Sequence, residues 1–139
     1  MTHFDVLEKP VSVDDFMRLR EVSGLIARDA EGARLGLPNS LYGVQILAGD
    51  RAIAMGRIVG DGGLNFEIVD VAVDPAYQGK GLGKTVMRYL MKYLERVAPP
   101  KAYITLVGDE PVFYEKLGFK SVQPESDGMY MLAPVIVHF

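Results

Sequence analysis

The sequence contains no cysteine. That excludes disulfides, thiolate metal sites and a cysteine nucleophile that could carry an acyl group. Histidine is scarce: His3 and His138 lie near opposite ends, without paired metal-ligand spacing, and both read as surface residues with no metal to hold. No apolar run reaches membrane-spanning length, and "MTHFDVLEKP" has no apolar signal core. A soluble cytoplasmic protein with no membrane partner is therefore expected. Neither sign of charge dominates, because 15 Lys+Arg face 18 Asp+Glu for a net charge of -3. That balance exerts no overall pull on nucleic acid. Repeats, low-complexity tracts and linkers are also missing. What is present is 139 residues, 49% of them hydrophobic, which suits one core and one domain over 1–139.

Strand and helix patterns alternate along the chain. "HFDVLEK" reads as an opening strand. "SVDDFMRLREVSGLI" reads as a helix with Ser12 as N-cap, acids at Asp14 and Asp15, and Phe16, Leu19 and Val22 or Ser23 on one face. "RDAEGARLGLPNS" is a short helix followed by a loop. "LYGVQILAG" and "RAIAMGRIVG" are β-rich runs joined by Gly49-Asp50, and Asp61-Gly62-Gly63 turns the chain into "LNFEIVDVAVD". Together they predict an antiparallel meander. From Gly83 the period becomes helical, with Val86, Leu90, Leu94 and Val97 or Ala98 in register until Pro99-Pro100. "AYITLV" comes next as a buried strand, "EPVFYEKLG" as a short helix with Gly118 at C′, then "FKSV" and "MYMLAPVIVHF" as two more strands. The strand–helix–strand unit from Asn65 to Val107 makes one pair of strands parallel. A mixed α/β (α+β) sheet is expected.

"DPAYQGKGLGKT" lies between a buried strand and a long amphipathic helix. It is not a nucleotide P-loop, which needs glycine where Gln78 stands, nor a dinucleotide loop, whose third glycine would fall at Lys84. A tight turn using glycine for backbone freedom is one reading. The other is an anion site: amides at a helix start point outward unpaired, Gly79, Gly81 and Gly83 permit close approach, and Lys80 and Lys84 add positive charge.

The stretch "VAVDPAYQGKGLGKTVMRYLMKYL" resembles the central motif of the GCN5-related N-acetyltransferases, whose Arg/Gln-x-x-Gly-x-Gly/Ala signature Gln78, Gly81 and Gly83 match. "FYEKLGF" (Phe113 to Phe119) fits the same family at the spacing its fold needs. The resemblance covers most of Leu41 to Phe119. It implies a mixed, mostly antiparallel twisted sheet of six to seven strands with about four helices, and a central parallel pair that splays. It also implies acetyl-CoA as co-substrate. The pantetheine arm would pair with the freed backbone of Val71, Ala72 and Val73. The pyrophosphate would lie in Gln78, Gly79, Lys80, Gly81, Leu82, Gly83 and Lys84, with Phe113 packing nearby. One departure is Val107, where many members carry an asparagine that contacts the coenzyme.

Acetyl transfer to an amine needs a neutral nucleophile, a stabilised oxyanion and a protonated leaving thiolate. The resemblance places Glu67 where one branch of the family carries its catalytic base; a solvated carboxylate, or one paired with a residue such as Arg57, is the plain reading. Asp70 is the runner-up base, a site for the substrate's ammonium, or the partner of a strand neighbour; the resemblance implies a bulge in this strand, which leaves its face open. Tyr114 stands where the family often places the acid that protonates sulfur, and a phenol of pKa about 10 keeps its proton at neutral pH. Its plain reading is a core aromatic. Arg18, Arg20, Arg28 and Arg34 read as a solvated face, a few of which could line the acceptor site. The implied reaction is direct transfer to a small primary amine. The alternatives are a protein lysine or N-terminus as acceptor, or a non-catalytic acyl-CoA sensor. The "PVIVHF" edge suggests a homodimer, or ordinary internal pairing.

Overall fold

Ser12 opens helix α1 (Val13–Val22) as its sequence predicts: its hydroxyl accepts the Asp15 N–H at 3.2 Å. Asp29 caps α2 (Ala30–Gly36) in the same way, accepting the Gly32 N–H at 3.2 Å. The computed structural model describes residues 3–136 and divides into two compact units, Met1–Val107 and Gly108–Phe139.

The first unit holds strands β1 (Asp5–Leu7), β2 (Tyr42–Ala48), β3 (Arg51–Gly60), β4 (Asn65–Val73) and β5 (Tyr103–Leu106), and helix α3 (Leu82–Val97). The strands lie in the order β1-β2-β3-β4-β5. The first four are antiparallel and β4–β5 is parallel, because α3 supplies the crossover. The sheet is therefore mixed, as expected. Gly49-Asp50 joins β2 to β3 directly. At the next turn the Asp61 carboxylate accepts the N–H groups of Gly63, Leu64 and Asn65 at 2.8, 2.8 and 3.0 Å. Those donors, that of Asn65 foremost, hold Asp61 down at about 2.

The sheet has two covered faces. On one, α3 presents Val86, Met87, Leu90 and Leu94, all buried. It comes so close that a Cβ added to Gly56 would lie 2.6 Å from the Val86 side chain. On the other, Phe16 and Leu19 of α1 and Ala33 of α2 pack with Met55 and Ala72 of the sheet. Burial of these two apolar layers is the main force holding the first unit together.

The second unit carries α4 (Pro111–Glu115). Its end is a Schellman turn: Gly118 has φ 99°, the Gly118 N–H bonds Glu115 O and the Phe119 N–H bonds Tyr114 O. Gly118 thus acts as the C′ residue the sequence predicts. The strand count differs from expectation. Five strands are present among the described residues, and neither Phe119–Val122 nor Met129–Ile136 is one of them. Pro124, Gly128 and Pro134 break that stretch at short intervals, removing ladder donors and weakening extended pairing. Its apolar residues Met129, Tyr130, Met131 and Ile136 are exposed. Residues 137–139, including His138 and the end of the suggested "PVIVHF" edge, lie outside the described residues. The predicted buried strand "AYITLV" is β5, half-buried with Tyr103 exposed, because it is the last strand in the order.

Candidate active site

Strand β4 loses one neighbour halfway along. Its pairing with β5 runs from Asn65↔Tyr103 to Ile68↔Leu106 and stops. β4 continues to Val73 against β3 alone. The strand is also irregular just beyond that point. Met55 faces Ala72 and Arg57 faces Val69, so three steps of β4 span two of β3. The extra residue is accommodated at Asp70, which has φ 59°. This is the bulge that the family resemblance implies, and a bulge twists and re-aims a strand. Past it, among the described residues, no strand pairs the second edge of Val71, Ala72 and Val73. Backbone groups on such an edge need a partner, and an amide-bearing chain can supply it by strand addition.

That edge leads directly into the glycine loop. Asp74 caps a 3-10 turn over Pro75–Tyr77 by accepting the Ala76 N–H at 2.9 Å, and the Gln78 amide folds back onto Val73 O at 3.3 Å. Gly81 is the N-cap of α3 with φ 78°, and it has no side chain to cap the helix. The N–H groups of Leu82, Gly83 and Lys84 occupy the first turn, where no intrahelical acceptor exists. They point with the positive end of a 16-residue helix toward any anion, and Lys80 and Lys84 are exposed beside them. An unpaired strand edge followed by an uncapped helix start fits a long carrier that joins an amide arm to a diphosphate. Gly81→Ala tests the fit. A Cβ there meets nothing within 4 Å, so the change costs only the left-handed backbone, about 1–2 kcal/mol, and adds a methyl group beside the free first-turn amides. Coenzyme A affinity measured by calorimetry is expected to fall about tenfold or more with the fold intact.

The sheet face that packs on α1 carries the acids. Arg57 opposes Val69 and Val59 opposes Glu67, and opposed residues share a face. Glu67 therefore lies on the Arg57 side. It is half-buried and, among the described residues, has no hydrogen-bond or ion-pair partner. Arg57 turns instead to Asp70, Nε to Oδ2 at 2.6 Å, and Arg20 from α1 reaches the other oxygen at 2.7 Å. The Asp70 and Arg20 side chains are only 6% and 7% exposed. Arg20 also donates to Ile26 O, Arg57 donates to Ser40, and Arg20 lies over the Phe16 ring.

These contacts settle several local questions. The strand-neighbour alternative for Asp70 is realised through Arg57, and both its oxygens are engaged by guanidinium groups. Arg20 does not lie on a solvated face but within the buried stripe Phe16, Leu19, Arg20. Of the two residues expected to continue that stripe, Val22 is 42% exposed and Ser23 is half-buried. The i, i+3, i+4 spacing of these three residues was the available signal. Burial lowers the Arg20 pKa and Asp70 pushes it back up, which is the balance a buried pair must strike. Arg18 is also partly buried, donating to Ala52 O and lying 3.6 Å from Asp74, so it ties α1 to the end of β4. Arg34 pairs with Glu31 on the surface.

Tyr114 and Phe113 belong to the second unit. Their rings meet edge to face with centroids 5.2 Å apart, and Phe119 flanks Tyr114 on another edge at 6.4 Å. Burial first, then Glu110 and Asp109, raises the Tyr114 pKa, so the phenol keeps its proton more firmly than a free one. The ring rests so closely on Gly108 that a Cβ there would lie 2.3 Å from Cε2. Val107, where the expected asparagine is replaced, is 93% exposed.

Comparison with known proteins gives consistent results. The model of the acetyltransferase (GNAT) domain matches residues 42–121. That match crosses the boundary between the two units. The uncharacterized N-acetyltransferase ycf52 of Porphyra purpurea is 30% identical over 128 residues, covering 88% of this chain and 72% of that protein. The histone acetyltransferase TAP1 of Glycine max is 40% identical over 82 residues, 58% of this chain and 35% of its own length. The crystal structure of SA2161 from Staphylococcus aureus, described as a "Probable Acetyltransferase", superposes with TM-score 0.89 at 38% identity, covering 94% of this chain and all of that one (100%).

Proposed function

Because the chain belongs to the GNAT family of N-acetyltransferases, we propose that it transfers the acetyl group of acetyl-CoA directly to a small primary amine, with residues 1–139 working as one catalytic domain. The observation that carries this reading is the unpaired edge of β4 running into the uncapped start of α3. Acetyl-CoA supplies an activated thioester. The backbone of Val71, Ala72 and Val73 would hold its arm, and Gln78 through Lys84 its diphosphate, with Phe113 in contact.

The reaction forms one N–C bond and breaks one C–S bond. The Val71 N–H withdraws charge from the acetyl carbonyl as the amine attacks. Glu67, half-buried and unpartnered among the described residues, accepts the proton the amine must lose, directly or through water. Tyr114 donates a proton to the departing sulfur and regains one from solvent. No step uses a metal in this scheme, and the chain has no cysteine to carry the acetyl group. Asp70 sits between two arginines, so we assign it first to holding the bulge beside Val71. Among the described residues no helix is long and apolar enough to cross a membrane, and we place the enzyme in the cytoplasm. A homodimer through the C-terminal segment is part of the proposal. Analytical ultracentrifugation checks it: twice the monomer mass is expected, and a single-chain mass at every concentration would remove it.

Thiol release from acetyl-CoA across a panel of amines tests the activity; coenzyme binding without turnover on any acceptor class would return the protein to a sensor role. The 40% identity to a histone acetyltransferase favours one second reading, a protein lysine as acceptor, and histone peptides belong in the same panel. Glu67→Gln is expected to lower kcat about a hundredfold and to flatten the rise of rate with pH, coenzyme affinity being kept. An unaltered profile would transfer the base role to Asp70 or to water, or leave the reaction without a protein base.

A further inference from the structure

Helix α1 holds β4 at two points. Arg20 bonds the Asp70 carboxylate at 2.7 Å, and Nη1 of Arg18 lies 3.6 Å from Oδ2 of Asp74. Residues two apart on a helix stand about 200° apart around its axis, so the two guanidinium groups leave α1 from different flanks. Between their two acids lie Val71, Ala72 and Val73, the segment with β3 on one edge and, among the described residues, no strand on the other. Asp74 is the corner where that segment enters the glycine loop. Its N–H donates to Ile53 O at 2.8 Å, its Oδ1 accepts the Ala76 N–H at 2.9 Å and its carbonyl accepts the Tyr77 N–H at 2.8 Å. Arg18 grips the neighbouring strand as well, its Nη2 donating to Ala52 O and to Asp15 Oδ1. The Arg18 and Asp74 side chains are only 23% and 14% exposed. Nη1 of Arg18 is buried and has no hydrogen-bond partner among the described residues.

We propose that Arg18 is a positioning residue for coenzyme binding, acting through Asp74: together with Arg20 it makes α1 a brace across the strand segment and loop assigned to the pantetheine arm and the diphosphate. The inference rests on the coenzyme site proposed above and extends it to a residue outside the loop. A segment paired along one edge only has lost half its ladder bonds, so its position depends on what holds its ends. A buried guanidinium N–H without an acceptor is costly, and Asp74 Oδ2 stands about 0.5 Å beyond ordinary hydrogen-bond length. Moving the Asp74 corner inward by that amount gives the buried donor a charge-assisted bond, whereas moving it outward weakens the ion pair. The brace therefore opposes any drift of the corner away from the sheet. The 3-10 turn over Pro75–Tyr77 begins at that corner, so fixing Asp74 fixes where the loop toward Gly81 starts.

Arg18→Met keeps the aliphatic stem and removes the guanidinium contacts. Amide hydrogen exchange reads the brace directly. Exchange of the Asp74, Ala76 and Tyr77 N–H groups is expected to quicken about tenfold. The Tyr103 and Ala98 N–H groups, bonded to Leu64 O and Leu94 O outside the brace, should keep their wild-type rates. Coenzyme A affinity by calorimetry is expected to fall about tenfold, and Arg18→Lys, which keeps the charge without the fork, should restore part of it. Equal quickening of all these amides would make Arg18 a general stabiliser and overturn the inference. Unchanged exchange at Asp74, Ala76 and Tyr77 would also overturn it, as would faster exchange there with coenzyme affinity intact. Failure of the wild type to bind coenzyme A would sink the coenzyme site instead, and the exchange rates alone would then support or overturn the brace. If Arg18→Met does not fold, Asp74→Asn replaces it. That change keeps an oxygen to cap Ala76, removes the charge facing Arg18, and is judged on the same amides by the same outcomes.

Discussion

Tyr114→Phe is expected to reduce kcat about a hundredfold, toward the lower end of what a positioned proton donor contributes, while the affinity for coenzyme A stays within a factor of about two. The side chain loses one oxygen and keeps its ring, so the packing against Phe113, Phe119 and Gly108 survives. The proton matters because the sulfur would otherwise leave as a free thiolate. The sign of the pH effect comes from the raised Tyr114 pKa. A phenol held above its ordinary value of about 10 stays a donor throughout the physiological range, so any loss of rate through its ionisation falls on the alkaline side, beyond that value. The same shift favours the folded unit below the unfolded phenol's pKa, and that contribution is lost as pH rises through the folded one. Gly108→Ala is a companion change, since its Cβ would displace the ring, and it should mimic the loss of turnover. Stopped-flow measurement of thiol release together with coenzyme titration reads both numbers; full turnover in Tyr114→Phe would remove the residue from the mechanism.

Asp70→Asn is expected to be strongly destabilising. It leaves Arg20 and Arg57 facing each other without their carboxylate, and the Asp70 and Arg20 side chains are only 6% and 7% exposed. Breaking a buried charge pair by removing one partner costs about 3–5 kcal/mol. For a chain of this size that corresponds to a thermal midpoint lower by roughly 10–20 °C. Calorimetry or circular dichroism melting checks it. The outcome also separates two roles. A variant that melts like the wild type but no longer turns over would make Asp70 a group that meets the substrate, against the structural role its two arginines suggest.

Much of the local architecture was legible in the residues because its causes are local. Ser12 capping α1, Gly49-Asp50 closing a hairpin, Asp61 holding the next turn and Gly118 ending α4 each depend on neighbours within a few positions. The loop from Gln78 to Lys84 was legible for the same reason, since a strand, three glycines and a helix start suffice to build it. Arg20 was not. Its partner Asp70 is 50 residues away, and no spacing within α1 says which acid will meet it. The strands expected after α4 were over-read from apolar content, which marks a segment as able to pair without naming an edge for it.

The residues alone therefore determined the order of helices and strands up to α4, the amide-rich loop and the chemistry available without sulfur. Which face each acid takes was decided only in three dimensions. One extra residue at Asp70 shifts the alternation of β4, and that shift brings Asp70 to Arg20 and Arg57, while Glu67 has no partner among the described residues. Side-chain direction in a strand has a period of two, so a single inserted residue redirects every later side chain of the strand, and only the pairing with β3 reveals where the insertion lies.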